Sequence, residues 1–229
     1  MRLLRAVIPS PPDILTVQPL NSGNYPMLTH NGEIPSTHTT LLLRLRTDGV
    51  ARETAWGEFH RTYAPVIAGF ARRLGARPGE IDDVVQEVMV GFYGTVAEFR
   101  YDRTRGSFRG YLKTCAWRKL QKQLAKRLTT FDPAQSNHIA VDAEIDAAWN
   151  LAWRQSQLAR AMEMVRERYT RRSDQRKTFD AFENCVLLDR PPAEVARELG
   201  MTVDQVHQAK SRIQRALRET MSAMEAFAD

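Results

Sequence analysis

The chain has 229 residues, of which 43% are hydrophobic, and this suits one large soluble domain or two small ones. Its net charge of +6 is modest, so the distribution of charge is more informative than the sum. No apolar run approaches the length of a membrane span. Pro9, Pro11 and Pro12 end the first apolar run before it reaches the length of a signal peptide. We therefore expect a cytoplasmic protein without a membrane partner.

The positive charge is concentrated in the middle of the chain. Residues 51–130 contain fifteen basic and eight acidic residues, a net charge of +7. Residues 131–158 contain one basic and four acidic residues, a net charge of −3. This distribution indicates two bodies separated by an acidic joint.

The N-terminal part of the chain changes character near residue 40. Residues 1–38 mix Pro, Ser, Thr, Asn and Gly without periodicity, so we expect a flexible leader, in which Met27 is an alternative start. From Thr40 onward the pattern is helical. Large apolar residues then recur at steps of three and four, which predicts one buried helix face: Trp56, Phe59, Tyr63, Ile67 and Phe70. The stretch GARPGE at 75–80 ends this helix.

A second helix follows, with an apolar side and an acidic side. The apolar side consists of Ile81, Val84, Val85, Val88, Phe92, Val96 and Phe99. Most of the other side consists of Asp82, Asp83, Gln86 and Glu87. The stretch YDRTRGS then predicts a polar turn.

The stretch at 105–127 has eight basic side chains and no acid, yet aromatic rings are interspersed among them. A helix over 108–127 places Arg118, Lys122 and Lys126 in one row. It places Trp117, Leu120 and Leu124 on roughly the opposite side. Basic groups beside rings, as at Phe108, Arg109, Tyr111, Leu112 and Lys113, suit single-stranded nucleic acid, whose bases stack on aromatic faces. Burial in the core explains Phe108 and Leu112 at least as well, and Trp117 fits either a core position or a base-stacking surface.

The rest of the chain is also helical in pattern. The stretch LTTFDPAQSNH indicates a linker, and a further helix is predicted from about Asp142 to Arg168. It carries Ile145, Trp149, Trp153, Met162 and Val165. The last 50 residues predict two or three shorter helices. Because no run alternates apolar and polar residues with strand composition, the fold is expected to be all-α.

The stretch PPAEVARELGMTVDQVHQAKSRI at 191–213 has the spacing of a helix-turn-helix. Gly200 permits a left-handed turn, and Thr202 with Gln205 forms a T-x-x-Q capping box that starts the next helix. An apolar seam joins the two helices: Val195, Ala196, Leu199, Val206 and Ala209. Outward polar side chains suit phosphates and base edges. The alternative is a helical hairpin that only packs.

No catalytic cluster or metal site is recognisable in the sequence. Cys115 and Cys185 are far apart, with no second Cys or His near enough to bind a metal. Four histidines are scattered along the chain and are expected at the surface: His30, His38, His60 and His138. Neither a Gly-rich phosphate loop nor a Ser/His/Asp set is present. We therefore expect a non-enzymatic protein with reduced cysteines and without a cofactor or metal.

Motifs that together cover most of residues 52–220, taken in order, resemble the bacterial sigma-70 family, and specifically its short extracytoplasmic-function (ECF) type. The matching stretches are WGEFHRTYAPVIAGFARR, EIDDVVQEVMVGFY, FRYDRTRGSFRGYLKTCAWRKLQKQLAKR and RPPAEVARELGMTVDQVHQAKSRIQRALRE. The resemblance implies two small helical domains. Region 2 would be a helical bundle over 39–130, and region 4 a helix-turn-helix domain over 159–229. A flexible linker over 131–158 would join them.

The resemblance implies that the acidic helix binds core RNA polymerase at the clamp helices of its β′ subunit. The residues concerned are Asp82, Asp83, Val84, Gln86 and Glu87. An acidic face pairs well with basic side chains across an interface. Two other interpretations remain open. The acids favour a helix N-terminus in any case, and Asp83 with Glu87 is a pair that a metal-dependent nuclease would use, although without a base or third ligand.

The resemblance also implies two DNA-binding surfaces. The first recognises and opens the minus-ten promoter element, where a flipped base is captured: Phe108, Arg109, Tyr111, Lys113, Trp117, Arg118, Lys119, Lys122 and Lys126. Many ECF members have Asn near the middle of this helix, where this chain has Trp117 and Arg118, so the base preference is open. The second binds the duplex minus-thirty-five element: Thr202, Gln205, His207, Gln208, Lys210, Ser211 and Arg212. An ordinary exposed histidine explains His207 equally well.

The sequence thus predicts an ECF-type sigma factor, which brings core RNA polymerase to promoters and assists their melting. Its expected partners are core RNA polymerase, through the β′ clamp helices and the β subunit, and promoter DNA. Whether an anti-sigma protein binds it is left open. The alternative is a stand-alone helix-turn-helix transcriptional regulator, which would bind duplex DNA without polymerase and usually as a symmetric dimer.

Overall fold

The computed structural model describes residues 37–99, 106–130 and 142–226. All regular structure in these ranges is helical, so the predicted all-α fold is confirmed. No helix within the described ranges combines the length and the apolar composition that spanning a membrane requires. Residues 1–36, with most of the expected leader and Met27, and residues 131–141 of the expected linker lie outside the described residues.

The described residues form eight α-helices and one π-helical turn. In chain order they are α1 (Thr37–Arg44), α2 (Val50–Arg73), α3 (Pro78–Thr95), α4 (Phe108–Thr130), α5 (Asp142–Thr170), α6 (Ser173–Phe182), the π turn (Glu183–Leu187), α7 (Pro192–Leu199) and α8 (Val203–Ala226). The final helix is 24 residues long, whereas the sequence predicted only shorter helices there.

Helices α1 to α4 and the first half of α5 share one hydrophobic core, which we call the first core. The predicted face of α2 is confirmed, since Phe59, Tyr63, Ile67 and Phe70 have no exposed surface. Trp56, at the start of that face, is only partly buried. The ring of Phe59 stacks on that of Phe92 in α3, with 4.7 Å between centroids. Stacked aromatic pairs of this kind therefore fix α3 against α2.

The α2–α3 junction is set by local chemistry. Gly75 has a φ of 84°, a left-handed conformation that suits glycine. Pro78 starts α3, and the backbone N–H of Arg77 donates to the Glu80 carboxylate at 2.8 Å. Helix α3 therefore begins inside the predicted break GARPGE.

Helix α5 belongs to two cores. Its first half places Trp149 and Trp153 in the first core, where they are 3% and 4% exposed. Its second half places Ala161 and Val165 in a second core with α6 and α8. The helix predicted from about Asp142 to Arg168 is present. Residues 142–158, which the resemblance assigned to a flexible linker, are therefore helical and packed, and the expected boundary at 158 falls inside a helix. The physical reason is that burial of the two indole rings outweighs the polar, acidic composition of this segment.

Helices α7 and α8 and the turn between them, here called the two-helix turn, have a small core of their own with the end of α6. Gly200 takes the left-handed conformation, with φ 62° and ψ 44°. The capping box is present. The backbone N–H of Gln205 donates to the Thr202 hydroxyl at 3.2 Å, and the backbone N–H of Thr202 donates to the Gln205 side chain at 2.8 Å. The predicted cap and apolar seam are thus confirmed.

Candidate functional site

An open apolar groove of about 730 Å³ lies between α2 and α3. Its walls include Trp56, Ala64, Val85, Met89 and Tyr93. Within it, Val90 is 63% exposed and Tyr93 is 45% exposed, although both are large apolar side chains. This groove is not evident from the sequence, because its two walls come from different helices and the periodicity of one helix shows only that helix's own core face.

The acidic side of α3 lies beside this groove. Asp82 and Gln86 are exposed and line its edge, and Asp83 is exposed next to them. Val84, by contrast, has no exposed surface and lies in the first core. Of the five residues predicted to bind polymerase, Val84 therefore supports the helix from inside and offers no surface to a partner.

The residue at which α3 begins tests the alternative that its acids only stabilise the helix N-terminus. The stabilising effect of an acid on a helix N-terminus falls off within the first turn. Because α3 starts at Pro78, the first-turn acid is Glu80, and Asp82 and Asp83 lie beyond that turn. Stabilisation of the helix terminus therefore does not account for these two exposed carboxylates.

Glu87 is part of a contact between α3 and α4. Its Oε2 lies 3.1 Å from the Nζ of Lys119, and its Oε1 accepts a hydrogen bond of 3.1 Å from the side chain of Gln123. The hydrogen bond from Lys119 holds the pKa of Glu87 below its ordinary value, against the opposing effect of burial. Gln123 is 8% exposed and was not identified from the sequence.

This contact bears on the nuclease alternative. Glu87 is engaged with a lysine and an amide, so it does not form an isolated carboxylate pair with Asp83. Among the described residues, no group of three or more His, Cys, Asp or Glu side chains is arranged to hold a metal ion. The geometry therefore gives this alternative no support.

The polar side of α4 carries an exposed basic row. Arg118, Lys122 and Lys126 are all exposed, as the helical periodicity predicted. Leu120 is fully buried, and Trp117 and Leu124 pack partly buried against the first core. The indole of Trp117 is therefore partly a core side chain and partly surface.

Other predicted minus-ten residues are occupied within the protein. Phe108 is 4% exposed and packs with five other aromatic rings of the first core. The guanidinium carbon of Arg109 lies 4.1 Å from the ring centroid of Trp153. Lys113 forms an ion pair with Asp146, and Lys119 pairs with Glu87. Thus Arg109 and Lys113 in the first half of α4 contact α5, while Arg118, Lys122 and Lys126 further along the helix are exposed.

Tyr111 and Cys115 lie next to each other on α4 and are partly buried. Burial raises the pKa of both groups, and their side chains share a hydrogen bond. A thiol with a raised pKa is mostly protonated at neutral pH and is a poor nucleophile. Tyr111 also packs against Phe99, with 5.1 Å between ring centroids, which fixes its ring in the core edge.

The predicted residues of the two-helix turn divide into two groups. Thr202 and Gln205 hold each other in the capping box. The others are exposed on α8: His207, Gln208, Lys210, Ser211 and Arg212. Arg215 continues this exposed polar surface one turn further, and it was not among the residues predicted from the sequence.

A family model matches part of the chain. Residues 59–129 match the family model of sigma-70 region 2. The match supports membership of the sigma-70 family. It covers most of α2, all of α3 and nearly all of α4, and therefore both the apolar groove and the basic row. It also supports a role in transcription initiation, with core RNA polymerase and promoter DNA as partners. No curated protein and no solved structure matches the chain.

Proposed function

We propose that this protein is an ECF-type sigma factor, which binds core RNA polymerase, directs it to promoters and assists their opening. The observation that carries the proposal is the position of the region 2 match. It spans the two helices that form an acidic, apolar groove and the helix that carries an exposed basic row. The protein then acts by binding alone, in the cytoplasm, without a cofactor.

The apolar groove with its acidic edge is the proposed site for the clamp helices of the polymerase β′ subunit. Val90 and Tyr93 offer apolar area, and the burial of such area is the main source of affinity in an interface. Asp82, Asp83 and Gln86 add charge and hydrogen bonds at the rim. Rim charges mainly set orientation and the rate of association.

The basic row of α4 is the proposed site for the melted minus-ten strand. Arg118, Lys122 and Lys126 follow one another along one side of the helix, a spacing that tracks a phosphate backbone. Trp117 lies on a different side of α4 from this row, but it is partly exposed and offers an aromatic surface for an unpaired base. Because capture of a flipped base costs a few kcal/mol in unstacking, the cations and the ring must together compensate for it.

The two-helix turn is the proposed reader of the duplex minus-thirty-five element. Its second helix, α8, starts at a capped N-terminus and presents Gln208, Lys210 and Arg212 to solvent. In helix-turn-helix proteins the second helix lies in the major groove with such side chains on base edges and phosphates. The β subunit of polymerase is a further expected partner.

The test is binding to purified core RNA polymerase, measured as co-elution and affinity. The variant Asp82→Arg/Asp83→Arg reverses two exposed charges beside the groove and should abolish tight binding. The matched control Glu163→Arg/Glu219→Arg reverses two exposed acids outside the region 2 match and should bind as the wild type does. If the chain fails to bind core polymerase but binds duplex DNA tightly, the sigma proposal is wrong and a stand-alone regulator replaces it.

A further inference from the structure

Two side chains in the first half of α4, Arg109 and Lys113, reach the first half of α5. Arg109 stacks on the indole of Trp153, and Lys113 pairs with the carboxylate of Asp146. A ring and a carboxylate are the protein counterparts of a base and a phosphate, because both pairs offer a π-face and an anionic oxygen. Helix α5 thus gives these two cations the partners that a single strand would give them.

Helix α5 is held in this position by close packing on α2. Trp149 and Trp153 are buried in the first core, and Ala152 lies between them along the helix facing Gly69. An alanine at position 69 would place its Cβ 3.3 Å from the Cβ and 3.8 Å from the Cα of Ala152. A side chain at residue 69 would therefore push Ala152 away, by a few tenths of an ångström for an alanine and by more for a larger residue.

We propose that the first half of α5 is an autoinhibitory strap, which covers part of the minus-ten surface in the free protein and must leave it before Arg109 and Lys113 bind DNA. The proposal rests on the minus-ten function proposed for α4. The strap is closed in the free protein because opening exposes two indole rings to water. A partner that binds only the open form, such as core polymerase, shifts the protein toward it.

The strap is tested with a substitution in α2 that forces the two helices apart. The variant Gly69→Leu places a side chain where only Ala152 is in reach. The control Gly57→Leu makes the same change in the same helix at a position with no atom within 4 Å. Affinity for a fluorescein-labelled single-stranded oligonucleotide of mixed sequence is measured by anisotropy on the full-length free chain. Gly69→Leu should bind about three- to fivefold more tightly than the control, the range that ion pairs of this exposure support.

A second variant tests the same strap without a steric change. Asp146→Asn removes the partner of Lys113, whereas Glu144→Gln neutralises an exposed acid two residues earlier in the same helix. Asp146→Asn should bind the oligonucleotide more tightly than Glu144→Gln. Adding Lys113→Ala should cancel that gain, yet the same change in the wild-type chain should have little effect, because Lys113 is already occupied there.

The outcomes separate the strap from the function on which it rests. If Lys122→Ala/Lys126→Ala weakens oligonucleotide binding but Gly69→Leu equals Gly57→Leu and Asp146→Asn equals Glu144→Gln, then α4 binds DNA and the strap proposal is overturned. If no variant changes binding, Lys122→Ala/Lys126→Ala included, the minus-ten function is overturned and the strap with it. Tighter binding by both strap variants relative to their controls supports the proposal.

Discussion

Glu87 of α3 and Lys119 of α4 form an ion pair, with 3.1 Å between Oε2 and Nζ. The first residue was predicted to bind polymerase and the second to bind DNA, and the structure places them against each other. Both are partly exposed, so the pair links the proposed polymerase surface to the proposed DNA surface without being buried.

This pair predicts a pH-dependent contribution to stability. The pKa of Glu87 is lower in the folded protein than its ordinary value of 4.5, chiefly because of the hydrogen bond from Lys119. The pairing therefore stabilises the fold above pH 4.5, and the contribution is lost as the pH falls through the lower folded value. Glu87→Gln should reduce the free energy of unfolding at pH 7 by a few tenths to about 1 kcal/mol, as exposed pairs do. Chemical denaturation measures this difference.

Variants of the partner residue, Lys119, control for this prediction. Lys119→Met should cause a similar loss at pH 7, and the double variant should lose less than the sum of the two single variants. Well below pH 4.5 the difference between Glu87→Gln and wild type should disappear. An equal difference at both pH values, or strict additivity of the two changes, would show that the pair does not stabilise the fold.

The basic row predicts the salt dependence of DNA binding. Each phosphate contact on a single strand contributes about 0.7 to the slope of log K against log salt. Lys122→Ala/Lys126→Ala should therefore lower the slope by about 1.4 when the polymerase complex binds a single-stranded minus-ten oligonucleotide. Arg72→Ala, an exposed cation at the end of α2, is the control and should leave the slope unchanged. Loss of affinity without a change in slope would exclude phosphate contacts by these lysines.

The two-helix turn predicts a glycine-specific loss of stability. Gly200 has a φ of 62°, so Gly200→Ala should cost about 1 kcal/mol or more in free energy of unfolding. Gly91→Ala, at an open position inside α3, is the matched control and should be neutral or stabilising by up to about 1 kcal/mol. Thermal and chemical denaturation test both. Equal effects of the two substitutions would contradict a left-handed requirement at residue 200.

The first core predicts a large cavity effect at Phe59. This ring has no exposed surface and contacts the rings of Tyr63 and Phe92. Phe59→Ala should cost about 3 to 5 kcal/mol in free energy of unfolding. Leu151→Ala, on α5 with 44% of its surface exposed, should cost far less. A loss at Phe59 no larger than that at Leu151 would contradict the packing described.

A structural feature was predictable from the sequence where its signal lies within one helix or one turn. Helical periodicity relates neighbours on one helix, so it correctly separated the buried Leu120 from the exposed Arg118 and Lys122. Local backbone chemistry is similarly short-range, so the cap of Thr202 on Gln205 was predictable.

Contacts between helices were not predictable in this way. Arg109 meets Trp153, and Lys113 meets Asp146, across a sequence separation that carries no periodic signal. The acidic composition of 131–158 indicated a linker, but composition does not show that Trp149 and Trp153 are buried in the first core. The groove between α2 and α3 was not predictable for the same reason, since its walls come from two helices.

The most direct measurement of the sigma proposal is a site-specific photo-crosslink to core RNA polymerase. A benzophenone amino acid replaces Gln86, an exposed residue at the edge of the groove, and in a second protein it replaces the exposed Glu163 of α5. Position 86 should crosslink to the β′ subunit, at peptides from its clamp helices, and position 163 should not. Absence of a β′ crosslink from position 86, or equal crosslinking from both positions, would contradict the proposal that this surface binds the polymerase.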